Sequence, residues 1–215
     1  MTYIDVSVHQ GFIDWQRVRN DGVTCAIIRL ATADRIDANF HRNWDDAHDA
    51  GIPRIGCYQY YVTEIDPARQ AMAALEFTQG DFGTEPLTID CERRADERLV
   101  PWSLAKRQAY TSNVRRWLTV MVQYNPRIYT SKWEWRAITT APDWITEYDL
   151  WLAAYPGPPE LPDKATSYTV HQYSSTGRVD GINGPVDLNR EVITPPVLDP
   201  VDSIRKYANL ILGEL

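Results

Sequence analysis

The run Pro86-Leu87-Thr88-Ile89-Asp90-Cys91-Glu92 ends an apolar, partly β-branched stretch with two carboxylates separated by one residue. Such a stretch reads as a strand. Alternate side chains of a strand share a face, so Asp90 and Glu92 point one way and Ile89 and Cys91 the other. Two steps of about 3.3 Å set their Cα atoms about 6.6 Å apart. Carboxyls that close resist joint ionisation; given some burial, one keeps its proton near neutral pH while its neighbour stays charged. A proton donor beside an anion is what glycoside cleavage needs, with a proton for the leaving oxygen and negative charge or a nucleophile for the oxocarbenium-like centre. An Asp-x-Glu also fits a solvated strand rim, so its meaning rests on what surrounds it.

The elements that must position the pair alternate. Residues 3–8 are β-prone, with Asp5 set between Ile4 and Val6. Asp14 reads as the cap of a helix closed by Gly22, ahead of a strand over 25–30. Phe40, Trp44, Ala47 and Ala50 then recur near helical spacing up to Gly51, and a strand follows over 55–62. Asp66-Pro67 opens a third helix as cap and first-turn proline. The Asp90 strand comes next, then a helix over about 103–122 and a strand over 126–130. Five strands separated by helical segments predict parallel βαβ units. Beyond Ser131 only short strands are legible, at 151–155, 167–173 and 186–188, between Pro/Gly-rich loops. Eight strands predict a single α/β, TIM-like closed barrel whose last three crossovers have lost their helices, with its chemistry at the C-terminal strand ends.

Bulk properties narrow the class. A chain of 215 residues with 8 Trp, 12 Tyr and a formal net charge of −7 can bury a full core, and it carries no basic run suited to nucleic acid. Cys25, Cys57 and Cys91 each sit inside an apolar run, as buried reduced thiols do. No stretch reaches membrane-spanning length, and Met1 runs almost directly into the first strand without a signal peptide, so synthesis in the host cytoplasm is expected. Residues 1–194 read as the catalytic barrel. Residues 195–215 read as a Pro-rich linker and an apolar-periodic helix.

Acids recur at strand positions: Asp5 on the first strand, Asp90 and Glu92 on the fourth, and Asp187 on the eighth. First and eighth strands are neighbours in a closed barrel, so Asp5 and Asp187 should lie side by side, facing the fourth strand across the mouth. With these residues in place the sequence resembles glycoside hydrolase family 25, the Chalaropsis-type lysozymes of phage endolysins and autolysins, over roughly residues 3–192. The likeness is carried by Ile4-Asp5-Val6-Ser7, Ile13-Asp14-Trp15, Gly56-Cys57-Tyr58, the Asp90/Glu92 run, Ile128-Tyr129-Thr130, Leu150-Trp151-Leu152-Ala153, His171-Gln172-Tyr173-Ser174 and Gly184-Pro185-Val186-Asp187-Leu188-Asn189.

The resemblance implies a flattened barrel of five β/α units followed by three strands. It implies hydrolysis, with retention and without cofactor or metal, of the β-1,4 bond between N-acetylmuramic acid and N-acetylglucosamine in bacterial peptidoglycan. Glu92 would be the general acid and then base; Asp90 would attack directly or orient the substrate's N-acetyl group; Asp5 and Asp187 would bind substrate or tune the pair. Tyr58, Tyr60, Tyr129, Trp151 and Gln172 are the candidate sugar contacts, although each aromatic fits a core position as well. Tyr58-Gln59-Tyr60 and His171-Gln172-Tyr173-Ser174 depart from the family's usual Tyr-His-Phe and Trp-Gln-Tyr-Ser, which bears on the subsites rather than the acids. His41 and His48 lack the i, i+4 pairing of a helical zinc site. A phage lysin freed by a holin-type partner is the expected setting; a non-catalytic wall-binding module and a chitinase-like barrel are the readings from other classes.

Overall fold

The computed structural model describes residues 2–192. The linker and helix expected over 195–215 lie outside them. In chain order the elements are β1 (Thr2–Val6), α1 (Trp15–Asn20), β2 (Val23–Thr32), β3 (Arg35–Ile36), α2 (Phe40–Asp49), β4 (Arg54–Tyr60), α3 (Pro67–Thr78), β5 (Thr88–Asp90), α4 (Leu104–Val120), β6 (Arg127–Thr130), α5 (Lys132–Ile138), β7 (Leu150–Ala153), β8 (Val170–Gly177) and β9 (Val186–Glu191). The expected caps form: Asp14 accepts from the Arg17 amide at 3.1 Å, and Asp66 from the Arg69 amide at 3.0 Å with Pro67 in the first turn.

Eight strands close a barrel in the order β1-β2-β4-β5-β6-β7-β8-β9, with β9 returning to β1. Pairing is parallel from β1 round to β8, whereas β9 runs antiparallel to both β8 and β1. A short Gly/Pro-rich connection cannot supply the long crossover a parallel neighbour requires, so the last strand turns back on its predecessor. Two elements had no clear sequence signal: β3, which folds back on β2 as a two-residue hairpin, and α5, the helix of the fifth β/α unit.

Strand alternation sorts the apolar residues into two cores. One side of the strands packs on the helices, where Ile4, Ile28, Leu30, Ile89, Val114 and Trp117 are buried. The other side fills the barrel, with Tyr3, Cys25, Ile27, Trp151 and Val170 against Tyr58 and Tyr129. The end of the barrel remote from Asp90 and Glu92 is closed by ion pairs: buried Glu85 accepts from Arg54 Nε at 2.7 Å and from Arg127 Nη1 at 3.3 Å, and Arg54 also meets Tyr3 Oη. Gly56 makes room for this plug, since a Cβ there would lie 2.4 Å from Glu85 Cβ. Among the described residues, the barrel therefore opens at the ends of β1, β4, β5 and their neighbours.

Candidate active site

Asp5 and Asp187 are direct cross-strand partners in the β1–β9 register. Asp5, 6% exposed, accepts from Gln172 Nε2 at 3.0 Å and from Asn189 Nδ2 at 2.8 Å. Each amide is itself locked: Tyr129 Oη donates to Gln172 Oε1 at 2.8 Å, and Trp151 Nε1 donates to Asn189 Oδ1 at 2.7 Å. The carbonyl ends are thus occupied, so both NH2 groups must face the carboxylate. Burial, and then the charge of Asp187, push the Asp5 carboxyl well above the ordinary range, while the two amide donors pull against that shift; burial raises Asp187 as well. Two adjacent raised carboxyls share a proton more readily than they ionise together.

β5 delivers the other two acids. Asp90 is in register between Tyr60 of β4 and Tyr129 of β6. Just beyond it the Cys91 amide donates to the Tyr129 carbonyl at 2.9 Å, and Thr130 Oγ1 donates to the Cys91 carbonyl at 2.9 Å, so the chain stays pinned up to Glu92. Tyr60 Oη adds a 3.2 Å bond to the Glu92 carbonyl. Asp90 is 5% exposed and its Oδ1 has no hydrogen-bond partner among the described residues. Burial, then the charges of Glu92 and Asp5, raise its carboxyl well above the usual range, with Arg29 and Arg98 opposing. Glu92 is raised too, first by burial and also by Glu134 and Asp187, while Arg98 pulls it down. Arg98 Nη2 donates to Glu92 Oε2 at 3.0 Å and Arg98 Nε to Glu134 Oε1 at 3.0 Å, and Arg93 Nε holds Glu134 Oε2 at 2.9 Å.

Glu92 stands where two lobes of an open cleft meet. One lobe, of about 420 Å³, is lined by Asp5, Arg29, Tyr58, Tyr60, Asp90 and Asp187 among others. The other, of about 310 Å³, runs past Tyr129, Ser131, Lys132, Trp133 and Tyr155. Asp5, Tyr58, Asp90, Glu92, Tyr129, Trp151, Gln172 and Asp187 also surround one small recess at the barrel mouth, so every residue singled out from the sequence except Tyr60 meets there. Tyr60 lies in the first lobe, sharing Tyr58's face as strand alternation requires. Trp151 is 2% exposed and forms the floor, edge-on to Tyr58 and Tyr129.

Of the two departures from the family pattern, Tyr60 lies in the cleft as expected, whereas Gln59 and His171 do not. Gln59 faces the helices, fully buried, donating to the Ala33 and Gln70 carbonyls at 2.6 and 2.8 Å and accepting from Trp117 Nε1 at 2.8 Å. His171 also points out of the barrel, with Nε2 3.0 Å from the Ala154 carbonyl. Sequence reasoning did not single out Asn189, Arg98 or Glu134. The first was accessible, being two residues beyond Asp187 on one strand face; the others meet Glu92 only through the fold.

A raised, half-buried carboxyl at the junction of an open, aromatic-lined cleft, with a second acid two residues away on the same strand face, is an arrangement suited to acid-assisted glycoside cleavage on a barrel. The family model described as glycosyl hydrolases family 25 matches residues 4–182, and the chain belongs to that family: it is a glycoside hydrolase. Uncharacterized protein YegX of Escherichia coli K12 is 34% identical over 199 residues, covering 86% of this chain and 67% of that one. Lysozyme M1 of Streptomyces globisporus is 28% identical over 208 residues, covering 87% and 66%. Among solved structures, the bacterial lysozyme from Streptomyces coelicolor superposes with a TM-score of 0.74 at 25% identity, covering 91% of this chain and 93% of that one. The family 25 glycosyl hydrolase from Bacillus anthracis shares the fold with a TM-score of 0.75 at 20% identity, covering 92% and 91%.

Proposed function

We propose that the protein is an N-acetylmuramidase that cuts the β-1,4 bond between N-acetylmuramic acid and N-acetylglucosamine in bacterial peptidoglycan. The observation that carries this reading is Glu92 at the junction of the two lobes, which suits a polymer crossing the acid with sugars on either side. The likeness to Lysozyme M1 and to the autolytic lysozyme of Clostridium acetobutylicum, 26% identical over 197 residues, supports the substrate. Glu92, protonated through its raised affinity, gives its proton to the glycosidic oxygen as the C1–O bond breaks. Asp90 takes the N–H of the substrate's N-acetyl group on its unpartnered Oδ1, so that the acetyl oxygen closes on C1 from the opposite face. Glu92, now a carboxylate, removes a proton from the water that reopens this ring, and the anomeric configuration is retained. Asp5 and Asp187 hold negative charge beneath the reacting sugar, and Tyr58, Tyr60 and Tyr129 offer ring faces to it.

Digestion of purified peptidoglycan with reducing-end analysis tests the activity: new muramic acid ends are expected, whereas glucosamine ends, or sugar released from chitin alone, overturn it. A thiazoline analogue of the N-acetyl sugar should inhibit. Covalent labelling of Asp90 by a 2-fluoro glycoside would instead make Asp90 the direct nucleophile. We assign the catalytic unit to residues 1–194, so a chain ending at residue 194 keeps the parent rate. The biological setting we assign is a phage lysin released by a holin-type partner: cells making the chain lyse only when a holin is co-expressed.

A further inference from the structure

Beside the second lobe lies a separate pocket of about 310 Å³ whose charged lining is entirely cationic: Arg93, Arg98, Arg107 and Arg136, with Pro101, Trp102 and Ala137 completing its wall. Four guanidinium groups in one recess run against the whole chain's net charge of −7. They come from residues scattered over more than 40 positions, which is why no basic run marks them in the sequence. Two are fixed from below. Glu134, itself only 13% exposed, accepts from Arg93 Nε at 2.9 Å and from Arg98 Nε at 3.0 Å. Arg107 is held by its Nε at 2.7 Å from the Thr139 carbonyl, which leaves its two terminal nitrogens unused by that bond. Arg98 also pairs with Glu92 at 3.0 Å, so two carboxylates meet four guanidiniums and an excess of positive charge is left, and clustered like charges favour an incoming anion. Planar guanidinium forks match a carboxylate two bonds at a time.

Arg98 lines both this pocket and the second lobe, so the two are adjoining rooms with a common wall. Resting on the muramidase reading, we infer that the arginine pocket receives a carboxylate of the peptide stem that hangs from the glycan lying in the cleft. A stem combines free carboxylates with small apolar side chains, and the pocket combines guanidiniums with the faces of Trp102 and Pro101. The site thereby acts on specificity, favouring glycan that still bears its peptides.

The test compares kcat/KM on peptidoglycan chains with intact stems and on the same chains stripped of stems by an amidase, for the parent and for Arg136→Ala. Arg136 is exposed on α5 and distant in sequence from the acids, so its replacement leaves the fold intact. The parent should prefer stem-bearing chains, and Arg136→Ala should shrink the ratio of the two values by about fivefold, the upper end for one partly exposed ion pair, with Arg136→Lys in between. Free stem peptide should inhibit the parent more strongly than inorganic phosphate at equal ionic strength. An equal ratio in parent and variant, or equal inhibition by phosphate, overturns the inference. Failure of the parent to cut either substrate would instead strike the muramidase reading on which it rests.

Discussion

Glu92→Gln preserves the volume and placement of the side chain and removes its transferable proton, so chemistry and folding can be separated in one variant. The structural cost is bounded by what Glu92 touches. Its Oε2 accepts from Arg98 at 3.0 Å, with the two side chains 31% and 47% exposed. A pair this open is worth about 0–1 kcal/mol. Arg98 keeps a second carboxylate, that of Glu134 at 3.0 Å, so the variant leaves no cation stranded. Loss of about 1 kcal/mol at most corresponds to a fall in Tm of about 2–4 °C for a chain of this length. The catalytic cost is larger: a positioned general acid contributes about 10²–10⁴ in rate, or about 3–5 kcal/mol of barrier. Initial rates of reducing-end release from purified peptidoglycan, with thermal unfolding on the same preparation, give both quantities. A variant that melts within about 4 °C of the parent yet keeps more than about a tenth of its rate would refute the assignment of Glu92.

Arg98→Ala removes the cation that lowers the Glu92 carboxyl, so the acid should hold its proton to higher pH and the alkaline limb of kcat/KM should move upward; a limb that stays or moves down contradicts the role given to Arg98. Asp90→Asn should lose most activity while gaining stability near neutral pH. Because burial raises the folded Asp90 carboxyl above its unfolded value of 3.8, the folded state binds more protons, and stability falls as pH rises from about 4 toward the raised value. Thermal unfolding should therefore show the asparagine variant ahead at pH 7 and level with the parent near pH 4, and no pH dependence in the difference would sink the argument. Gln59→Leu should cost about 2–4 kcal/mol by stranding the buried Trp117 indole N–H and two carbonyls, yet leave the rate per folded molecule unaltered, as checked by denaturant unfolding beside an active-site-normalised assay.

The parts of the site that could be read from the chain are those governed by strand alternation and barrel closure. Asp90 and Glu92 follow from one strand's parity, and Asp5 beside Asp187 follows from the first and last strands being neighbours. The same parity explains the two misplaced departures. Tyr58 and Tyr60 share the inner face, so Gln59 between them must face out, and Gln172 facing Asp5 sends His171 outward. What the chain concealed depends on contacts between irregular segments. Arg98 lies on a short 3-10 turn over Asp96–Leu99, and Glu134 lies in the first turn of α5, a seven-residue helix whose apolar pattern is too brief to register. No spacing rule brings residues 92, 98 and 134 together; the β5–β6 pairing does.

Those concealed residues bear on why the mouth carries so many acids. On the proposed retaining mechanism one carboxyl must be protonated in the first step and ionised in the second, so an environment that pushed Glu92 only upward would aid departure of the leaving sugar and hinder activation of water. Burial, Glu134 and Asp187 favour the protonated form, and Arg98 favours the anion. Glu134 opposes Arg98 twice, since its charge raises Glu92 directly while its bond to Arg98 Nε draws part of that cation away from the acid. Removing Glu134 would thus free Arg98 to settle wholly on Glu92, two losses acting in the same downward direction on the acid. The balance that suits a two-step reaction is set from the loop after β5 and the first turn of α5, outside the strands that carry the carboxyls.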